Sequence, residues 1–125
     1  MLVQCLYVAV GGAAGAVSRF LMGMVPFAPK TEFPMVTLLI NLVGAFFIGM
    51  IAQTASMRGV QNDGLILCLK VGVCGGFTTF STFSLEAVTL FSNGKTVLGM
   101  LYIVLSIFLC LCGVMFGQWV AARMG

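Results

Sequence analysis

From Gly72 to Ser84 the chain reads Gly-Val-Cys-Gly-Gly-Phe-Thr-Thr-Phe-Ser-Thr-Phe-Ser, a run that interleaves glycines, hydroxyls and phenyl rings. Thr78, Thr79, Ser81, Thr82 and Ser84 supply O–H donors, and the edge of a phenyl ring carries partial positive charge. Phe80 and Phe83 are three apart, which puts their rings on one helix face, and Phe77 and Phe80 have the same relation. Phenylalanines in an apolar helix ordinarily face lipid or core; the hydroxyls between them are what set this run apart. Ring edges and hydroxyls together suit a small, hard anion that must replace its hydration shell. A cation would want ring faces, carbonyls or carboxylates.

Other polar residues lie within apolar stretches, where each is costly unless it has a partner or a task. Asn41 offers two donors and one acceptor, and can hand an N–H to an anion or bond to a neighbouring helix. Arg19 can raise the anion concentration at a vestibule or snorkel to headgroups. Glu86 can be a coupling carboxylate or a partner for Lys70 or Arg19. Tyr102 and Ser106 are four apart and share a helix face, which Cys110 continues.

These residues need elements to hold them, and composition says which. Of 125 residues, 61% are hydrophobic and 7% charged, too little polar surface to cover a soluble domain of this size. Four stretches are long enough to cross a bilayer, which takes about 20 residues: Leu2–Met24, Met35–Ala52, Gly64–Phe91 and Val97–Ala122. The connections carry the breakers: Pro26, Pro29 and Pro34, then Arg58-Gly59 and Asn62-Asp63-Gly64, then Ser92-Asn93-Gly94. The expected fold is a single all-α membrane domain of four transmembrane helices, with a break in the third at the glycine-rich run. Unpaired backbone is not tolerated in hydrocarbon, so a helix loosened there must line a cavity or bind something. Broken membrane helices near the midplane are the usual form of an ion site.

The N-terminus lacks the basic region of a secretory signal and reads as a retained helix. Cys5, Cys68, Cys74, Cys110 and Cys112 all lie in apolar spans, and the chain has no histidine, so the cysteines read as small buried hydrophobes rather than zinc ligands. No metal cluster or nucleophile–base pair is present in the sequence, which argues against an enzyme.

Charge and small residues speak to assembly. With four crossings, Arg58, Arg123 and Lys70 fall toward one side and Lys30, Lys95 and Arg19 toward the other. The tally is near balance, so the positive-inside rule sets no preferred orientation. A chain without that bias can insert both ways, and an up copy can pair with a down copy. Gly11 and Gly15, Gly72 and Gly76, and Gly113 and Gly117 are Gly-x-x-x-Gly pairs, with Ala45 and Gly49 a similar small pair. They allow close helix approach within the protomer or between copies.

Gly11-Gly-Ala-Ala-Gly-Ala-Val-Ser-Arg19-Phe, Asn41-Leu-Val-Gly-Ala-Phe-Phe-Ile-Gly49 and the Gly72–Phe83 run resemble the Fluc (CrcB) fluoride channels of microbes, in motif order, length and helix count. The resemblance implies an antiparallel, dual-topology homodimer in the bacterial inner membrane that conducts fluoride passively and keeps its cytoplasmic concentration low. It implies two pores along the dimer interface and a structural sodium ion at the dyad. By motif position the sodium would take backbone carbonyls of Gly75 and Thr78. The fluoride pathway maps onto Asn41, Phe80, Phe83, Ser81 and Thr82, with Tyr102 and Ser106 from the fourth helix and Arg19 at a vestibule. Two other classes compete. A small dual-topology proton-coupled multidrug exporter needs a titratable carboxylate deep in a span, for which only Glu86 could serve; an assembly subunit would use the Gly-x-x-x-Gly faces and show no flux of its own.

Overall fold

A computed structural model describes residues 1–26 and 31–125; Pro29 and Lys30 of the first connection lie outside them. Four helical segments among these residues are long and apolar enough to cross a membrane. The first helix is Leu2–Met24. The second runs Met35–Arg58, beyond the expected Ala52, because Gln53, Thr54 and Ser56 continue the helix until Gly59 closes it in the left-handed region at φ 66°. The fourth is Thr96–Met124.

The third crossing, Gly64–Ser92, has two halves. Its first half joins a turn at Gly64–Ile66, a π-helical stretch at Leu67–Cys74 and a turn at Gly75–Phe77. Its second half is Phe80–Ser92. Thr78 and Thr79 between them are extended, at φ/ψ −77°/156° and −147°/111°. The break thus lies just past the glycines. Gly75 itself is helical, at φ/ψ −65°/−37°, and the chain opens at the two threonines within the same glycine-rich run. The interruption also cancels the helical spacing expected between Phe77 and Phe80.

The glycines serve packing instead. A Cβ on Gly11 would lie 2.2 Å from the Cys68 carbonyl oxygen, one on Gly15 the same distance from that of Val73, and one on Gly76 2.6 Å from that of Gly12. Helix one and the first half of the third crossing therefore run parallel with their backbones in contact. Helices two and four form a second parallel pair, where a Cβ on Gly49 would lie 2.3 Å from the Val114 oxygen and one on Gly117 2.1 Å from that of Phe46. Past the break, the third crossing packs chiefly on the fourth helix, and Leu38, Phe83, Ala87, Leu90 and Tyr102 form the core there. The break hands the third crossing from the first helix to the fourth.

Candidate functional site

An open cavity of about 420 Å³ lies where the second helix, the break and the fourth helix meet. Asn41, Thr78, Thr79, Phe80, Phe83 and Ser106 line it, with Cys74 and Cys110. Asn41 grips the break at both ends of one residue. Its Oδ1 accepts from the Thr79 N–H at 2.8 Å, and its Nδ2 donates to the Thr79 carbonyl at 3.1 Å. The interhelical bond is thus the Asn41 role the geometry displays; Nδ2 carries a second hydrogen, on a residue that also faces the cavity.

The hydroxyls continue this order. Thr79 Oγ1 accepts from the Thr82 N–H at 3.1 Å, capping the second half of the crossing, and donates to Thr82 Oγ1 at 2.9 Å. Ser81 Oγ lies 3.4 Å from the same Thr79 oxygen. The Thr82 hydroxyl hydrogen is left without an acceptor among the described residues. Ser106 Oγ is buried with no hydrogen-bond partner among them, on the cavity wall. An orphaned hydroxyl in a low-dielectric wall is costly, and an anion in the cavity would satisfy that of Ser106.

The Phe80 and Phe83 rings sit 5.6 Å apart by centroid. Phe83 is buried and meets the Tyr102 ring at 5.1 Å, whereas Phe80 is 79% exposed and projects from the protomer. One side of the aromatic pair is therefore anchored and the other is open.

Residues 6–118 match the family model described as CrcB-like protein, Camphor Resistance (CrcB). A protein of Ruminiclostridium cellulolyticum named "Fluoride-specific ion channel FluC" is 46% identical over 96% of this chain and 93% of its own length. Relatives of the same name from Rhizobium leguminosarum bv. trifolii and Methylobacterium radiotolerans are 43% and 35% identical, over 93% and 95% of this chain and 94% and 85% of theirs.

The chain belongs to the CrcB family. It is a multi-pass membrane protein of a channel family, and its bacterial relatives are matched almost end to end. Within this CrcB protein, several residues singled out in the sequence take up positions away from the cavity. Tyr102 is fully buried behind Phe83, and its hydroxyl donates to Glu86 Oε2 at 3.2 Å. Thr37 donates to Glu86 Oε1, so the carboxylate is held by two hydroxyls rather than by Lys70 or Arg19. Arg19 does not line the main cavity. Its Nε donates to the Gly76 carbonyl at 3.1 Å, beside a smaller cavity of about 320 Å³ bounded by Thr37, Thr79 and Thr82. Thr37 was missed by sequence reasoning, although it lies one helical turn before Asn41 and shares its face. Lys95 pairs with Glu32 across the two connections on one side of the bundle.

The carbonyls at the break suit a hard cation. The Thr79 N–H that would ordinarily close a helical turn onto the Gly75 carbonyl goes to Asn41 instead. The Thr78 carbonyl has no donor among the described residues. Gly75 is exposed, and a Cβ there would meet nothing within 4 Å. Two carbonyl oxygens without donors among the described residues are of the kind that sodium accepts.

Proposed function

We propose that the protein is a passive, fluoride-selective channel that lowers cytoplasmic fluoride. The observation that carries this reading is the cavity wall, where Phe80, Phe83, the Asn41 amide and the orphaned Ser106 hydroxyl converge beside a broken helix. Each offers a positive hydrogen or ring edge, and no carboxylate lies among the lining residues. The names of the relatives support the same reading.

The working unit is an antiparallel homodimer with two pores along its interface. The exposed Phe80 ring and the open cavity beside it support this, since a lone protomer leaves the pathway with one wall. Asn41, Phe80, Phe83 and Ser106 form that wall, and Ser81 and Thr82 join it through the Thr79 hydroxyl. Tyr102 acts from behind, holding Phe83 and Glu86. The Gly75 and Thr78 carbonyls of both copies would hold a sodium ion at the dyad, whose charge would draw the two breaks together.

Purified protein in liposomes loaded with fluoride and chloride tests the reading, with each anion followed by its own electrode and no pH gradient applied. Fluoride should leave quickly down its gradient while chloride stays behind. Flux that appears only with a proton gradient would favour a proton-coupled exporter. Equal release of both anions would remove the selectivity.

A further inference from the structure

We infer that Arg19 is a positioning residue of the break, acting through its Nε–H bond to the Gly76 carbonyl and not through attraction of anions by its charge. The first helix faces the third crossing through residues spaced four apart: Gly11, Gly15 and then Arg19. At the first two, the missing side chain lets the backbones touch, with Cys68 and Val73 carbonyls 2.2 Å from the sites a Cβ would take. At the third, an arginine replaces the glycine at the level where the third crossing leaves the first helix. The Gly76 carbonyl would ordinarily accept from the Phe80 N–H, but the extended Thr78 and Thr79 separate those two groups. Arg19 supplies the replacement donor at 3.1 Å. It brings a cation to the carbonyl end of a half-helix, where the helix dipole favours it.

Asn41 completes the arrangement from the opposite side. It holds the Thr79 N–H and carbonyl from the second helix while Arg19 holds Gly76 from the first. The two residues thus satisfy the backbone groups on both sides of the break that would otherwise pull it closed. They leave the Gly75 and Thr78 carbonyls without a backbone donor among the described residues. Half-buried between helices, Arg19 is placed to set the angle of the break.

Three substitutions separate donor from charge. Arg19→Gln keeps an N–H at the position of the arginine Nε and removes the charge. Arg19→Lys keeps the charge and puts a methylene at that position. Arg19→Met keeps neither. In fluoride efflux from liposomes, Arg19→Gln should stay within about threefold of wild type, while Arg19→Lys and Arg19→Met fall about tenfold or more, as expected when the Gly76 carbonyl is left without a donor. The fall in flux on adding inert gluconate salt should be the same for wild type and Arg19→Gln, because screening acts only on a charge that attracts. A conducting lysine variant with a silent glutamine variant would overturn the inference, as would a salt dependence present in wild type and lost in Arg19→Gln. If the lysine variant does not assemble, melting temperatures decide: glutamine near wild type with methionine well below supports the bond, and equal losses overturn it. The inference uses the channel reading only for its flux readout. Wild-type protein that releases no fluoride would sink that reading, and the melting order would still decide the role of Arg19.

Discussion

Phe80 and Phe83 carry the same ring three residues apart in very different settings. Phe83 is wedged against Tyr102, and Phe80 touches little of its own protomer. Phe80→Ile therefore isolates the ring edge from packing. Its cost to the fold should stay below about 1.5 kcal/mol, as for other hydrophobic exchanges of similar volume. If the ring edge meets the anion, losing it resembles losing a hydrogen bond to a charged group, on the order of 1.5–3 kcal/mol. That converts to a drop in fluoride flux of about ten- to hundredfold. Phe116→Ile is the control, since that ring stacks with Trp119 and Phe46 and does not line the cavity. Equal losses from the two variants would reduce the phenylalanines to packing. The interleaved rings and hydroxyls were legible in the sequence because their pattern is local. The partners of Glu86 were not. Thr37 and Tyr102 come from the second and fourth helices, and only the packing of three helices brings them to one carboxylate.

At the scale of the elements, the break depends on two helices lying in backbone contact. Gly15→Ala would drive a methyl to 2.2 Å from the Val73 carbonyl oxygen and 2.8 Å from the Phe77 nitrogen. Backbone atoms cannot step aside as a flexible side chain would, so the helices must separate and carry Arg19 away from Gly76. The variant should lose about 1–3 kcal/mol of stability, as overpacking generally costs, together with most of its fluoride flux. Gly23→Ala, with nothing within 4 Å of its Cβ, should melt as wild type does. A stable, conducting Gly15→Ala protein would contradict the contact. The four apolar runs marked the helices well, because hydrocarbon leaves few alternatives to a continuous helix. The exact opening point was harder to see. The Gly72–Ser84 run contains it, but Gly76 permits close approach to the first helix, and the backbone opens at Thr79, where Asn41 from another helix competes for its N–H. The π-helical stretch at Leu67–Cys74 carried no local signal at all; its apolar residues would suit an α-helix as well.

On the proposed reading, the whole molecule is half of a passage. Its cavity is open to one side, its Phe80 ring projects outward, and the Gly75 and Thr78 carbonyls have no donor among the described residues. An inverted second copy would bring the two breaks together about a two-fold axis and close the wall of each cavity. The near balance of lysine and arginine between the two sides permits such inversion. Adding two or three lysines to one connection should force a single orientation, and adding them to the opposite side should force the other. The central claim is that the fluoride path is completed by an oppositely oriented copy, and fluoride efflux from these biased proteins tests it most directly. Each biased protein expressed alone should release no fluoride above empty liposomes, and co-expression of the two should restore the wild-type rate. Full fluoride efflux from a population locked in one orientation would contradict it.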